Sequence, residues 1–250
     1  MSALLPTPPD PNSVIISFFT LRKLVGWLGL TLPFVLVLGS FILDHTNHVQ
    51  ISVSAYYHTS MRNGLVGILC GVALFLLCYH GYKWYDSLLS KAAGVFALGV
   101  AFFPTSASEV KDDIISKLHY ITSGVFFVIL ACMSIFLFTK SGGTKTPEKK
   151  NRNRLYRVCG IGMLICVAGI PLDSLPAIHD RIIFLKPTLI LEAAGLIFFG
   201  VSWLTKGEAI AMLNDKNDRG MVMVSKEQKD DSPGQTQPAG DSSTAAPSIK

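Results

Sequence analysis

Long apolar runs separated by short polar stretches fill this chain from Leu24 to Thr205. The apolar runs occupy 24–43, 64–82, 88–104, 119–139, 155–172 and 188–205. An α-helix rises about 1.5 Å per residue, so about 20 apolar residues cross a hydrocarbon core of roughly 30 Å. The pattern predicts an all-α fold, a six-transmembrane-helix bundle over 24–206. A short cytoplasmic segment, 1–23, precedes it and a cytoplasmic tail, 207–250, follows. Pro33 lies in mid-span and should kink the first helix. Pro104 follows the third run and Pro187 stands just before the sixth, where a missing N–H costs little. The 88–104 run is short and borders Lys91, whose stem can reach the interface. Gly67 and Gly71 form a small-xxx-small pair that would let another helix approach the second span closely.

Composition agrees with a lipid-facing surface. Half the residues are hydrophobic, 16% are charged and the mean hydropathy is +0.43, against about 25% charged in soluble domains. Charge position then orients the bundle. The termini, the 83–91 loop and the 140–157 loop carry 17 Lys and Arg, and the other three loops carry 5. The positive-inside rule puts both termini in the cytoplasm. Trp27, Trp84 and Trp203 fall at cytoplasmic span ends, as an interfacial aromatic belt would require. The apolar run after Arg22 and Lys23 is about 20 residues, beyond the roughly 7–15 of a signal-peptide core, so the first span should be retained. The absence of any Asn-x-Ser/Thr acceptor favours a bacterial inner (cell) membrane as the location. The five cysteines lie in or at the ends of spans without CxxC spacing and read as packing residues. In the tail, 207–224 mixes charges with Ile210, Met212, Leu213, Met221 and Met223 and could form a surface helix. Residues 225–250 have too little apolar content to fold.

With this orientation the outer side gathers His45, His48, His58, His119 and His179 with Asp44, Glu109, Asp112, Asp113, Asp173 and Asp180. His80 falls at the cytoplasmic end of the second span. Wet outer loops are polar in any case, but three features are sharper. In Ile51-Ser-Val-Ser-Ala-Tyr-Tyr-His58, a helix would put Ser54 and His58 on one face, and a strand would align Ser54, Tyr56 and His58. Either places a hydroxyl beside an imidazole; the alternative is an interfacial segment anchored by Tyr56 and Tyr57. Glu192, early in the sixth span, should face the bundle and find a partner, or be protonated. Its nearest outer-side candidates are His119 and the Ser54–His58 segment. His119-Tyr120 opens the fourth span, as an interfacial anchor or a ligand. The candidate cluster is therefore Ser54, Tyr57, His58, His119, Asp173 and Glu192. No phosphate-binding loop, GxGxxG, HExxH or GxSxG occurs, and no metal or cofactor is expected. The basic loop Lys140–Arg157 reads first as a topology determinant and second as an anionic-lipid contact.

Five segments carry a resemblance. These are Ser52-Val-Ser-Ala-Tyr-Tyr-His-Thr-Ser-Met-Arg-Asn-Gly-Leu-Val-Gly67, Tyr79-His-Gly-Tyr82, Ala101-Phe-Phe-Pro-Thr105, His119-Tyr120 and Trp203-Leu-Thr-Lys-Gly207. Over roughly 24–207 the chain resembles a family of uncharacterised bacterial six-helix membrane proteins. That resemblance implies fold and location and names no activity. Ser54-x-x-x-His58 is also similar to the serine and zinc-binding histidine of the alkaline ceramidase and progestin-receptor-like membrane hydrolases. Those proteins have seven spans and a His-x-x-x-His pair in the last, which this sequence lacks.

Three function classes follow. The first is a non-enzymatic accessory, sensor or lipid-binding membrane protein. The second is a small carrier or channel using Glu192 and the outer histidines. The third is a membrane-embedded lipid hydrolase using Ser54 and His58. The expected partners are membrane lipids and other membrane proteins, with no nucleic acid.

Overall fold

The computed structural model describes residues 11–45, 48–79, 84–106, 114–140, 146–173 and 183–210, with the side chains of 11–18, 173 and 183 outside the description. The described residues are helical, without strands. The long helices are α1 (Pro11–Leu43), α2 (Arg62–Cys78), α3 (Trp84–Phe102), α4 (Ile114–Cys132), α5 (Pro147–Asp173) and α6 (Pro187–Lys206). A π-turn, Met133–Leu137, prolongs α4. By length and composition α1 over Phe19–Leu43, α4 through Leu137, α5 and α6 can each cross a membrane. α2 is apolar but has 17 residues. α3 opens on Trp84-Tyr-Asp-Ser and carries Lys91, which lowers its apolarity.

Each helix packs on its neighbours in sequence, and α6 returns to α1, closing a ring. Short connections favour such neighbours, because a helix hairpin buries two apolar faces at little loop-closure cost. Val25, Leu76, Leu130, Met163 and Phe199 fill one half of the interior, and Leu32, Leu36, Leu65, Leu69 and Leu196 the other.

The crossings depend on small residues, but not the pair the sequence suggested. A Cβ added at Gly67 would meet nothing within 4 Å, and one at Gly71 would make only ordinary contact with Leu28. The close approach is between α1 and α6. A Cβ at Gly200 would stand 2.7 Å from the carbonyl oxygen of Gly26 and 2.8 Å from the backbone nitrogen of Leu30. Both contacts are backbone, so neither can swing away. α3 uses Ala93, Gly94 and Ala97 in the same manner, with Gly94 against the carbonyl of Ala73.

One further expectation is corrected. Trp203 is only 2% exposed, while Trp84 is 77% exposed. Trp203 meets Tyr79, Phe138 and Phe199 ring to ring and belongs to the core rather than to an interfacial belt. α1 begins at Pro11, ahead of the apolar run. Arg22, taken as a flanking charge, is buried inside the helix, where its guanidinium donates to Tyr79 Oη at 3.1 Å and lies over the Phe19 and Tyr79 rings. An aromatic pocket of this kind lets a cation stay buried. At the other helix boundaries Pro104 follows α3 and Pro187 begins α6, as expected. His80, Glu109, Asp112, Asp113, His179, Asp180 and the tail from 211 lie outside the described residues.

Candidate functional site

Between α1 and α2 the chain folds back over one end of the ring. Residues 51–58 form neither of the two regular structures their spacing allows. They make a single 3₁₀ turn, Ser54–His58. At three residues per turn, positions four apart point about 120° from each other rather than along one face. Ser54 and His58 therefore separate. His58 Nε2 lies 2.6 Å from the carbonyl oxygen of Thr105, while Ser54 turns toward α6 and α4. Tyr56, 1% exposed, is the plug that seats this cap in the core beside Leu36, Met61 and Leu65.

Glu192 holds the cap down. The backbone N–H groups of Val53 and Ser54 both donate to Glu192 Oε2, at 2.6 and 3.2 Å. These are donors at the start of a 3₁₀ turn, which has no internal acceptor for them. A carboxyl oxygen supplied from α6, 138 residues away in sequence, does the work of an N-cap. Ser54 Oγ stands 3.3 Å from Glu192 Oε1 and 3.0 Å from His119 Nε2. His119, 4% exposed, has its Nδ1 2.6 Å from the carbonyl oxygen of Phe103.

Proton bookkeeping constrains this trio. The Phe103 carbonyl can only accept, so His119 Nδ1 carries a hydrogen and donates it. With neutral imidazole, Nε2 is then an acceptor and takes the one hydroxyl hydrogen of Ser54. Ser54 Oγ has nothing left to give Glu192 Oε1, so that contact requires a protonated carboxyl donating to Oγ. The alternative is imidazolium donating to Oγ, with Ser54 donating to carboxylate. Both arrangements hold one proton more than carboxylate plus neutral imidazole. Without it, one of the two contacts to Ser54 Oγ is lost. The trio is a hydrogen-bond chain that can pass one proton between Glu192 and His119 through a hydroxyl.

Other groups pin the cap around this centre. Lys186, in a left-handed backbone conformation just before α6 (φ 51°), donates its Nζ to the carbonyl of Val49. The Ser60 backbone N–H donates to Asp44 Oδ1, and Ser40 Oγ donates to Asp44 Oδ2. Hydrogen bonds from Ser60 and then Ser40 hold the Asp44 carboxyl below its ordinary value. Burial pushes the Tyr56 hydroxyl up, and the Gln50 N–H that it accepts partly opposes this. Tyr57 faces away from the trio; its hydroxyl accepts from Arg62 Nη2 at 2.7 Å, with the guanidinium over its ring. Asp173 ends α5 and its side chain lies outside the description.

The structure thus brings Ser54, His119 and Glu192 together and leaves Tyr57 and His58 at the rim. Sequence reasoning did not identify the Val53 amide, the Phe103 and Thr105 carbonyls, or Lys186 as participants. Three of these are backbone groups, which no residue pattern marks. Among the described residues no three His, Cys, Asp or Glu side chains come together as metal ligands would. No family model matches the chain, and no curated protein or solved structure matches it either.

Proposed function

We propose that this chain is a multi-pass protein of the bacterial cell membrane. In this reading six helices cross the bilayer, both termini are cytoplasmic and the 48–61 cap faces outward. It acts without catalysis, as a sensor or accessory protein whose responsive element is the cap. The observation that carries this reading is the Glu192 carboxyl group accepting two cap amides at once. A carboxyl group placed early in an apolar helix is here used to dock a segment. The cap is tied to α6 through Glu192, to α4 through His119 and to the end of α1 through Asp44. An external ligand competing for Ser54 or Glu192 would release the ties to α6 and α4 together, which is how differential binding shifts a two-state element. The charge asymmetry of the loops supports the orientation, and four helices long and apolar enough to cross a membrane support the location. Membrane lipids and other membrane proteins are its partners.

One observation favours a second reading. Ser54 Oγ within 3.0 Å of His119 Nε2, with Nδ1 oriented by a carbonyl, has the geometry of a nucleophile beside its general base. A lipid hydrolase would then use His119, not His58. Alkyl fluorophosphonate labelling separates the two readings. A docking element leaves Ser54 unmodified, because Glu192 competes for its hydroxyl and occupies the adjacent amides. A covalent adduct on Ser54 that disappears in His119→Ala would overturn the non-enzymatic reading.

A further inference from the structure

At the opposite end of the ring, α5 changes character along one face. At 100° per residue, Lys150, Arg154, Arg157, Ile161 and Ile165 form a single row, with Val158 at its edge. All six side chains are exposed, Ile165 by 64%. No acidic residue occurs between Lys149 and Ile165, and Glu148 lies on the opposite side of the helix. Lys150, Asn153, Arg154, Arg157, Val158 and Ile161 line a groove of about 260 Å³, room for roughly nine waters' share of liquid volume. Among the described residues none of the three cations makes an ion pair.

We infer that this row is a binding site for an anionic phospholipid. Lys150, Arg154 and Arg157 hold the phosphodiester, and Val158, Ile161 and Ile165 run under its acyl chains. Two features select a lipid over other anions. The charges stop at Arg157, and the next turn of the same face is apolar and open, so a headgroup bound at the arginines has its tails directed along Ile161 and Ile165. Two arginines one turn apart present planar forks that match phosphate oxygens two at a time, which a lysine ammonium cannot do. The position also fits an interface, since the exposed Trp84 and Tyr85 begin α3 at this same end, and Tyr85 lies beside Lys140 just beyond α4. This site is independent of the cap and rests only on the membrane reading.

The test is native mass spectrometry of the purified full chain in an equal mixture of phosphatidylglycerol and phosphatidylcholine. Wild type should retain phosphatidylglycerol preferentially. The K150Q/R154Q/R157Q triple variant should bind it roughly ten- to hundredfold more weakly, with phosphatidylcholine unchanged. R154K/R157K keeps the charge that sets topology and should still lose several-fold. Millimolar inorganic phosphate should not displace the lipid. Equal retention of the two lipids by wild type, or undiminished phosphatidylglycerol on either variant, overturns the site. Displacement by phosphate alone would assign the groove to a free anion and overturn the lipid assignment. Loss of both lipids from every form would instead remove the membrane reading on which the site stands.

Discussion

Replacing Glu192 by leucine strips the acceptor from two backbone amides at once, and the structure sets the scale of the damage. Val53 is buried and its N–H donates to Oε2 at 2.6 Å; the Ser54 N–H donates to the same oxygen at 3.2 Å. A stranded buried donor costs about 1–3 kcal/mol. Ser54 is only partly buried, so its amide is the less costly of the two and the sum falls near the low end, about 2–3 kcal/mol. That raises the undocked population of the cap roughly 30- to 150-fold. The loss is local, because Tyr56 and its core neighbours still favour docking. Glu192→Gln is the discriminating partner. Its amide oxygen can accept both N–H groups and its amide nitrogen can donate to Ser54 Oγ, reproducing the protonated carboxyl of the trio. Hydrogen–deuterium exchange on the detergent-solubilised chain should show 51–60 exchanging tens of times faster in Glu192→Leu and at the wild-type rate in Glu192→Gln. Unchanged exchange in a well-folded Glu192→Leu would refute the docking role. A functional proton site would then be the better account of a carboxyl group at this depth.

Four other outcomes follow from the geometry. Gly200→Ala should cost about 1–3 kcal/mol by overpacking, since its Cβ meets the α1 backbone, whereas Gly67→Ala should be neutral or slightly stabilising; melting temperatures of the two variants check this. Trp203→Ala should cost about 3–5 kcal/mol as a core residue, while Trp84→Ala stays within about 0.5 kcal/mol; similar losses for both would return Trp203 to the interface. Asp44 has a lowered value in the folded chain, so its contribution is present above 3.8, its ordinary value, and fades as pH falls through the folded value. Asp44→Asn should therefore flatten stability below pH 3.8 and show little difference in slope near neutrality, as read from melting against pH. Reporters fused after Lys206 or inserted near Gly142 should read cytoplasmic and one near Asp112 external; a cytoplasmic signal at Asp112 would invert the orientation and move the cap to the other side of the membrane.

The hydrophobic pattern determined that the chain is helical with helices apolar enough to cross a membrane, and it located the centre of each helix, while the N-terminal ends of α1 and α5 run beyond the apolar runs by 13 and 8 residues. It could do so because lipid imposes a local rule: a spanning segment satisfies its own backbone and is apolar over a set length. The same pattern singled out Glu192, His119 and Ser54 as costly or reactive groups in one region. Which of them meet was decided only in three dimensions. A 3₁₀ turn where a full helix or strand would be equally regular swung His58 away from Ser54 and left His119 in its place. The α1–α6 crossing chose Gly200 and Gly26 over the better-looking Gly67 and Gly71. Trp203, read from position as interfacial, and Arg22, read as a flanking charge, are both buried against Tyr79 at the end of α2. In each case the deciding partner lies tens to more than a hundred residues away, and often it is a backbone group. Composition and spacing describe what a segment needs; the tertiary fold supplies the donors, acceptors and rings that meet the need.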